Sequence, residues 1–190
     1  MINLISLTGP SGAGKTTIAG EILLQRRAAR MVQSYTTRER RHNDLPGEYC
    51  YISQAEFNAM VDRKMFLWTA EHGGTHYGTS APSIEDIFAL QGQLGIMILV
   101  PQVIPLLITF LRRRGFRSRY LPFFIEPPSH EELECRLRLR GDDPANIEVR
   151  LKQSRYWLHE AVTSEIDYTY IKNNDVVEAA VNEIIDAVQQ

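Results

Sequence analysis

The chain has 190 residues, 44% of them apolar and 23% charged, which suits one domain with its own core and excludes a disordered polyelectrolyte. Its 21 basic and 23 acidic side chains leave a formal charge of -2, so a nucleic-acid partner held by bulk charge is excluded and any anion binding has to be local.

Ile2 to Thr8 alternates β-formers and runs into glycine, the pattern of an opening strand. Residues 9 to 16 read GPSGAGKT, a full GxxxxGK[ST] pattern, and a helical spacing begins near Lys15 and continues through Ile18, Ile22 and Leu23. Glycines let the chain wrap with its amides turned inward, and the helix presents its positive end, so Gly9, Ser11, Gly12, Ala13, Gly14, Lys15, Thr16 and Thr17 form a candidate cradle for a polyphosphate. Lys15 is placed to reach the β and γ phosphates, and the Thr16 hydroxyl to bind Mg2+. A cradle holds only the donor. Moving phosphate to a second phosphate requires further cations outside the loop.

Between Ser34 and Ser80 the segments become shorter, more polar and more aromatic, with turn signals at Pro46-Gly47 and Gly73-Gly74, as for a small inserted subdomain. The stretch Ile87 to Leu111 lacks charge and precedes Arg112, Arg113 and Arg114, in outline a membrane span. Glutamines, glycines, Pro101 and Pro105 break it, and a buried strand at Ile96 to Val100, a turn and a helix with an apolar face fit better. Buried strands are expected again at Tyr120 to Ile125 and Tyr168 to Ile171, with helices between, which predicts a parallel sheet. Ser129 and Glu132 read as a capping box for a helix whose last turn is rich in Arg136, Arg138 and Arg140. Val177, Val181, Ile184, Ile185 and Val188 share one face of a closing helix. Cys50 and Cys135 have no further ligand at metal-like spacing and the five histidines form no HExxH pair. Without a secretory pattern at the start, reduced thiols and a cytoplasmic setting are expected.

The segment Ser34-Tyr35-Thr36-Thr37-Arg38-Glu39-Arg40-Arg41, the following PGEYCYIS, FLWTAEHGGTHYGTS at 66 to 80 and FFIEPPSHEELECRLRLRGDD at 123 to 143 resemble the guanylate kinases in order across nearly the whole chain. The resemblance implies a P-loop three-layer α/β fold with a five-stranded parallel sheet. Residues 1–33 and 81–190 would form the core, 34–80 a small α+β subdomain binding a nucleoside monophosphate, and 136–155 a helical lid. It implies ATP and Mg2+ as cofactors, small nucleotides as partners, no nucleic acid or membrane, and a monomer or homodimer. By position, Arg38, Arg41, Tyr49 and Tyr77 would hold the acceptor phosphate, while Ser34, Glu71 and Ser80 face the base. Ser80 equally suits the cap of a helix beginning near Pro82. Lys15, Arg38, Arg140 and Arg150 would carry the chemistry, Arg136 could contact the donor's adenine side, and Asn173 would meet the adenine.

One motif departs from the family. Where guanylate kinases have an acidic pair at the end of the central strand, this chain has Ile98-Leu99-Val100-Pro101-Gln102-Val103, and Trp68-Thr69-Ala70-Glu71 keeps one acid. Three readings follow: a guanylate kinase in which Ser34, Glu71 and Ser80 suffice, a kinase of the same fold acting on a modified nucleotide or ribose 1,5-bisphosphate, and a non-catalytic module binding phosphorylated ligands. The intact GPSGAGKT opposes the third.

Overall fold

The computed structural model describes residues 1–72, 74–173 and 176–189. β1 (Leu4–Thr8) leads through the glycine loop into α1 (Lys15–Gln25) and a short β2 (Ala29–Met31). β3 (Ser34–Thr36), β4 (Tyr49–Tyr51), α2 (Gln54–Asp62), β5 (Trp68–His72) and β6 (Thr75–Thr79) follow, then α3 (Ala81–Ala89) and β7 (Leu94–Ile98). A 3-10 turn at Pro101–Val103 opens α4 (Ile104–Arg113), and the chain continues with β8 (Tyr120–Glu126), α5 (His130–Leu139), α6 (Pro144–Thr163), β9 (Thr169–Lys172) and α7 (Val177–Gln189).

Five strands pair in parallel in the order β2-β7-β1-β8-β9, the expected sheet. β1 is central because it is buried on both faces, as its unbroken run of β-formers requires. Its side chains alternate between two cores: Leu4 joins Ile84, Ile87, Ile104, Leu107, Phe124 and Trp157 beneath α3, α4 and α6, whereas Ile5 and Leu7 join Ile18, Ile22, Phe123, Val181 and Ile184 beneath α1 and α7. Burying each of these large side chains contributes about 1.5–3 kcal/mol, which fixes the strand register and so the position of the loop after β1.

The uncharged stretch 87–111 resolves into the end of α3, β7 and α4, and no described helix is long and apolar enough to cross a membrane. β7 ends two residues before the expected Val100, because Pro101 starts a helical turn and leaves Leu99 and Val100 as the strand's exit. The capping box at α5 is half formed: Ser129 Oγ accepts from the Glu132 N–H at 3.2 Å, but the Glu132 carboxylate accepts from Arg136 Nε at 2.8 Å. In α7, Ala180, Val181, Ile184 and Val188 are buried.

A second, four-stranded sheet, β4-β3-β6-β5, is built from residues 34 to 79. α2 packs on it through Phe57, whose ring stacks on Phe66 and His76, and Ser53 with Glu56 forms a complete capping box at its start. The Pro46-Gly47 turn is present, with Gly47 at φ 76°. At the β5–β6 turn Gly74 has φ 72°, and Gly73 lies outside the described residues.

Candidate active site

Parallel sheets place their ligand crevice beyond the carboxyl ends of the strands, and here the loop after β1 occupies that position. Two glycines are needed for its close approach. A Cβ on Gly9 would stand 2.4 Å from the Ile125 carbonyl oxygen, and one on Gly14, the left-handed residue that opens α1, 2.1 Å from Asn173 Nδ2. Asn173 is buried and donates from Nδ2 to the Ala13 carbonyl at 2.8 Å, so the end of β9 clasps the loop. The adenine contact expected of Asn173 stands beside this bond: its amide nitrogen is engaged with the loop backbone, and the residue also lines the cavity that opens on the loop.

Lys15 Nζ turns back along the loop and donates to the Gly9 and Pro10 carbonyls at 2.6 and 2.7 Å. The side chain as a whole is partly buried, but its ammonium is enclosed, and burial together with the charges of Arg140 and Arg150 lowers its pKa to about 7. Both arginines reach the same loop atom: Ser11 Oγ accepts from Arg150 Nη1 at 2.6 Å and from Arg140 Nη2 at 3.1 Å. Asp142, next to the Gly141 turn between α5 and α6, gathers them, accepting from Arg140 Nε at 3.2 Å and lying 3.5 Å from Arg150 Nε. Burial alone would raise the Asp142 pKa, but the Arg140 hydrogen bond and the charges of Arg140, Arg150 and Arg41 bring it below the usual carboxylate value. Burial depresses the Arg150 pKa against the pull of Asp142, with Arg140 and Arg41 adding to the depression. An excess of cationic side chains over the single Asp142 carboxylate, around an amide-lined loop, is the electrostatic form of a polyanion site.

A cavity of about 660 Å³ opens on this loop, walled by Ser11, Gly12, Gly14, Lys15, Thr16 and Thr17 together with Arg136, Asn173 and Arg41. Arg136 also donates to the Asn173 carbonyl at 3.3 Å. Gly9 and Ala13 do not line this cavity; their carbonyls accept from Lys15 and Asn173 respectively. Among the described residues no group of three or more His, Cys, Asp or Glu could hold a metal. Thr16 lies at the cavity wall, and a hydroxyl completed by phosphate oxygens and water is the usual donor set for Mg2+ on a nucleotide, so these residues fit that ion.

Beyond Arg41 and Thr16 lies a second cavity of about 850 Å³ with Arg38, Tyr49, Tyr77, Arg140, Asp142 and Arg150 in its wall. Its organiser is Asp44, which sequence reasoning missed. One carboxylate oxygen accepts from Arg38 Nη2 at 2.6 Å, and the other accepts from the Arg41 N–H and the Tyr51 hydroxyl, both at 2.7 Å. Burial alone would raise the Asp44 pKa, but these three donors lower it, while for Arg38 the carboxylate outweighs burial and raises the pKa. The Arg38 guanidinium lies 5.1 Å from the centre of the Tyr49 ring, whose own neighbour is Tyr77 at 5.9 Å. Burial and the adjoining Glu48 push the Tyr49 hydroxyl pKa up, so it stays a neutral donor. The Arg41 guanidinium makes no hydrogen bond or ion pair among the described residues.

Tyr49 and Tyr77 also border a third, narrower cavity of about 220 Å³, lined by Ser34, Glu71 and Gln153 and otherwise by Trp68, Ala70, Ile98, Leu99, Val100, Val103 and Trp157. The acid-free strand end therefore supplies an apolar part of the same cavity wall as Glu71. Ser34 is present with its hydroxyl bonded to Thr79 Oγ1 at 2.9 Å. Ser80 is not in the wall: its hydroxyl accepts from the Ser83 N–H at 3.3 Å and caps α3. Trp157 and Gln153 were not foreseen; their i, i+4 spacing was visible, but not which side of the sheet α6 would cover.

The guanylate kinase family model matches residues 1–190. The chain belongs to the guanylate kinase family. It is 36% identical over 186 residues to the guanylate kinase of Symbiobacterium thermophilum, covering 95% of this chain and 82% of that one. It is also 36% identical over 181 residues to that of Polaromonas sp., with 94% and 82% covered. The guanylate kinase crystal structure from Anaplasma phagocytophilum superposes with a TM-score of 0.69 over 99% of this chain and 84% of that one; at 21% identity this likeness concerns the fold. Guanylate kinases are nucleoside monophosphate kinases that use ATP and Mg2+.

Proposed function

We propose that the protein transfers the γ-phosphoryl group of ATP to GMP or dGMP, giving ADP and GDP or dGDP. The observation that carries this reading is the run of cations along one continuous wall: Lys15 in the donor loop, Arg41 bordering both large cavities, and Arg140 and Arg150 touching Ser11 while facing Arg38. Such a wall suits two polyanions brought end to end. Core residues 1–33 and 81–190 hold ATP in this reading, residues 34–80 hold the acceptor, and residues 136–155 close over both.

The loop amides and Lys15 hold the β and γ phosphates, and the Thr16 hydroxyl holds Mg2+, which when bound neutralises charge between those phosphates. Arg38, Arg41, Tyr49 and Tyr77 hold the acceptor phosphate in line behind the γ phosphorus. A P–O bond then forms to an acceptor oxygen as the bond to ADP breaks. The acceptor is already an anion, so no general base is needed, and catalysis is positioning plus charge stabilisation. Arg140 and Arg150 supply charge where it spreads in transit and exclude water that would hydrolyse ATP.

Glu71 reads the base, accepting from the N1–H and 2-amino edge that guanine offers and adenine lacks. The narrow cavity, with two tryptophans and an aliphatic wall, suits a flat aromatic ring better than a phosphosugar. ADP release measured across GMP, dGMP, AMP, UMP, CMP and ribose 1,5-bisphosphate tests the reading. Turnover highest with GMP or dGMP is expected. Turnover highest with the bisphosphate would replace this acceptor, and no turnover with any of them, in a folded sample that fails to bind ATP, would leave a phospho-ligand-binding module.

A further inference from the structure

We propose that Gln153 is a second base-reading residue, accepting a hydrogen bond from the 2-amino group of the acceptor base that Glu71 alone leaves unpaired. The inference rests on the guanine reading above and goes beyond it by assigning a polar partner from the lid helix.

Guanine's reading edge carries three N–H donors, one at N1 and two on the 2-amino group. A single carboxylate receives two of them, side by side. The third enters a cavity whose strand-end wall is Ile98, Leu99 and Val100, none of which can accept it through a side chain. Leaving a donor buried without a partner is unfavourable, so guanine binding demands another acceptor nearby.

The polar side chains around the cavity are mostly engaged elsewhere. Ser11 is held by Arg140 and Arg150, Lys15 by two loop carbonyls, and Ser34 by Thr79. Tyr49 and Tyr77 also face the larger cavity that takes the phosphate. Gln153 is half-buried, lines the cavity and has no hydrogen-bond partner among the described residues. It lies four residues before Trp157 on α6, so amide and indole share one helix face toward the cavity. An amide carbonyl accepts without carrying charge, which suits a wall this apolar. Because Gln153 belongs to the helix that carries Arg150, reading the 2-amino group also draws that arginine toward the phosphates.

The test compares GMP with IMP, which keeps the 6-oxo and N1–H groups but lacks the 2-amino group. With saturating MgATP, kcat/KM is measured for both acceptors in the wild type, Gln153→Leu and Gln153→Glu. The leucine variant is expected to lower the GMP-to-IMP ratio about tenfold, the loss of one hydrogen bond. The glutamate variant, which keeps a carbonyl-type acceptor, is expected to preserve the ratio to within about twofold. An unchanged ratio in the leucine variant, or equal loss with both acceptors, overturns the assignment and leaves Gln153 as packing on α6 while the guanine reading stands. Wild-type protein that turns over neither GMP nor IMP would overturn the guanine reading and this assignment with it.

Discussion

If ATP binds at the glycine loop as proposed, Lys15 is expected to take up a proton on binding. In the free protein its pKa falls from 10.5 to about 7, through burial first and then through the charges of Arg140 and Arg150. In the proposed complex, phosphates would replace the Gly9 and Pro10 carbonyls as its partners and favour the charged form, raising the pKa again. At pH 7 about half of the free molecules hold Lys15 neutral, so ATP binding draws in about 0.5 proton, rising to about 0.9 at pH 8. The charged fraction of free protein falls about tenfold from pH 6 to pH 8, and kcat/KM for MgATP is expected to fall with it. Calorimetric titration in buffers of different ionisation enthalpy measures the proton count. The sign for stability follows from the same numbers: between about pH 7 and 10.5 the unfolded chain keeps a proton that the folded protein has lost, so the free protein gains stability as pH rises through that window. Heat independent of buffer, together with a flat kcat/KM profile from pH 6 to 8, would refute the cationic cluster as drawn.

Asp44→Asn removes the charge that holds Arg38 and weakens the hydrogen bonds from the Arg41 N–H and the Tyr51 hydroxyl; KM for GMP is expected to rise about tenfold or more, with KM for ATP changing little. Because the Asp44 pKa is lowered on folding, its contribution is full above about pH 4 and is lost as pH falls through the depressed value, which acid titration of wild type and variant will compare. Asn173→Ala leaves the buried Ala13 carbonyl unpaired and should cost about 1–3 kcal/mol in urea unfolding while raising KM for ATP rather than GMP. Glu71→Ala should reduce turnover of GMP far more than any turnover of a phosphosugar, and equal effects in the acceptor assay would count against its role at the base.

What the sequence made legible is what local chemistry decides. The loop from β1 into α1 was readable because a left-handed turn, close backbone approach and an amide-lined helix start all require the same residues, and Gly9 and Gly14 meet those limits at Ile125 and Asn173. β2 was not readable: Ala-Arg-Met has no alternation over three residues and is a strand only because the β7 edge offers it partners. The half-formed cap at Ser129 has a similar origin, since Glu132 finds a guanidinium one turn later that competes with the backbone amide. Around the site, Arg38, Arg41, Tyr49 and Tyr77 meet in one cavity, but Asp44 emerged only with the fold of the loop that carries it. Ser80 offered two readings, a base contact and a helix cap, and its hydroxyl makes the cap. The acid-free Ile98–Val100 stretch was conspicuous in the sequence, and only the packing of α6 brought Gln153 and Trp157 into the same cavity lining.

Whether donor and acceptor phosphates meet in one cation-lined cleft is decided by a crystal structure with a non-hydrolysable ATP analogue and GMP bound together. The γ phosphate and the GMP phosphate are expected in line, with Lys15 and Arg41 between them, Arg38 on the acceptor, and Arg140 and Arg150 moved from Ser11 onto the phosphates. Both nucleotides bound with the Arg38 and Arg41 guanidinia turned to solvent, away from either phosphate, would contradict it.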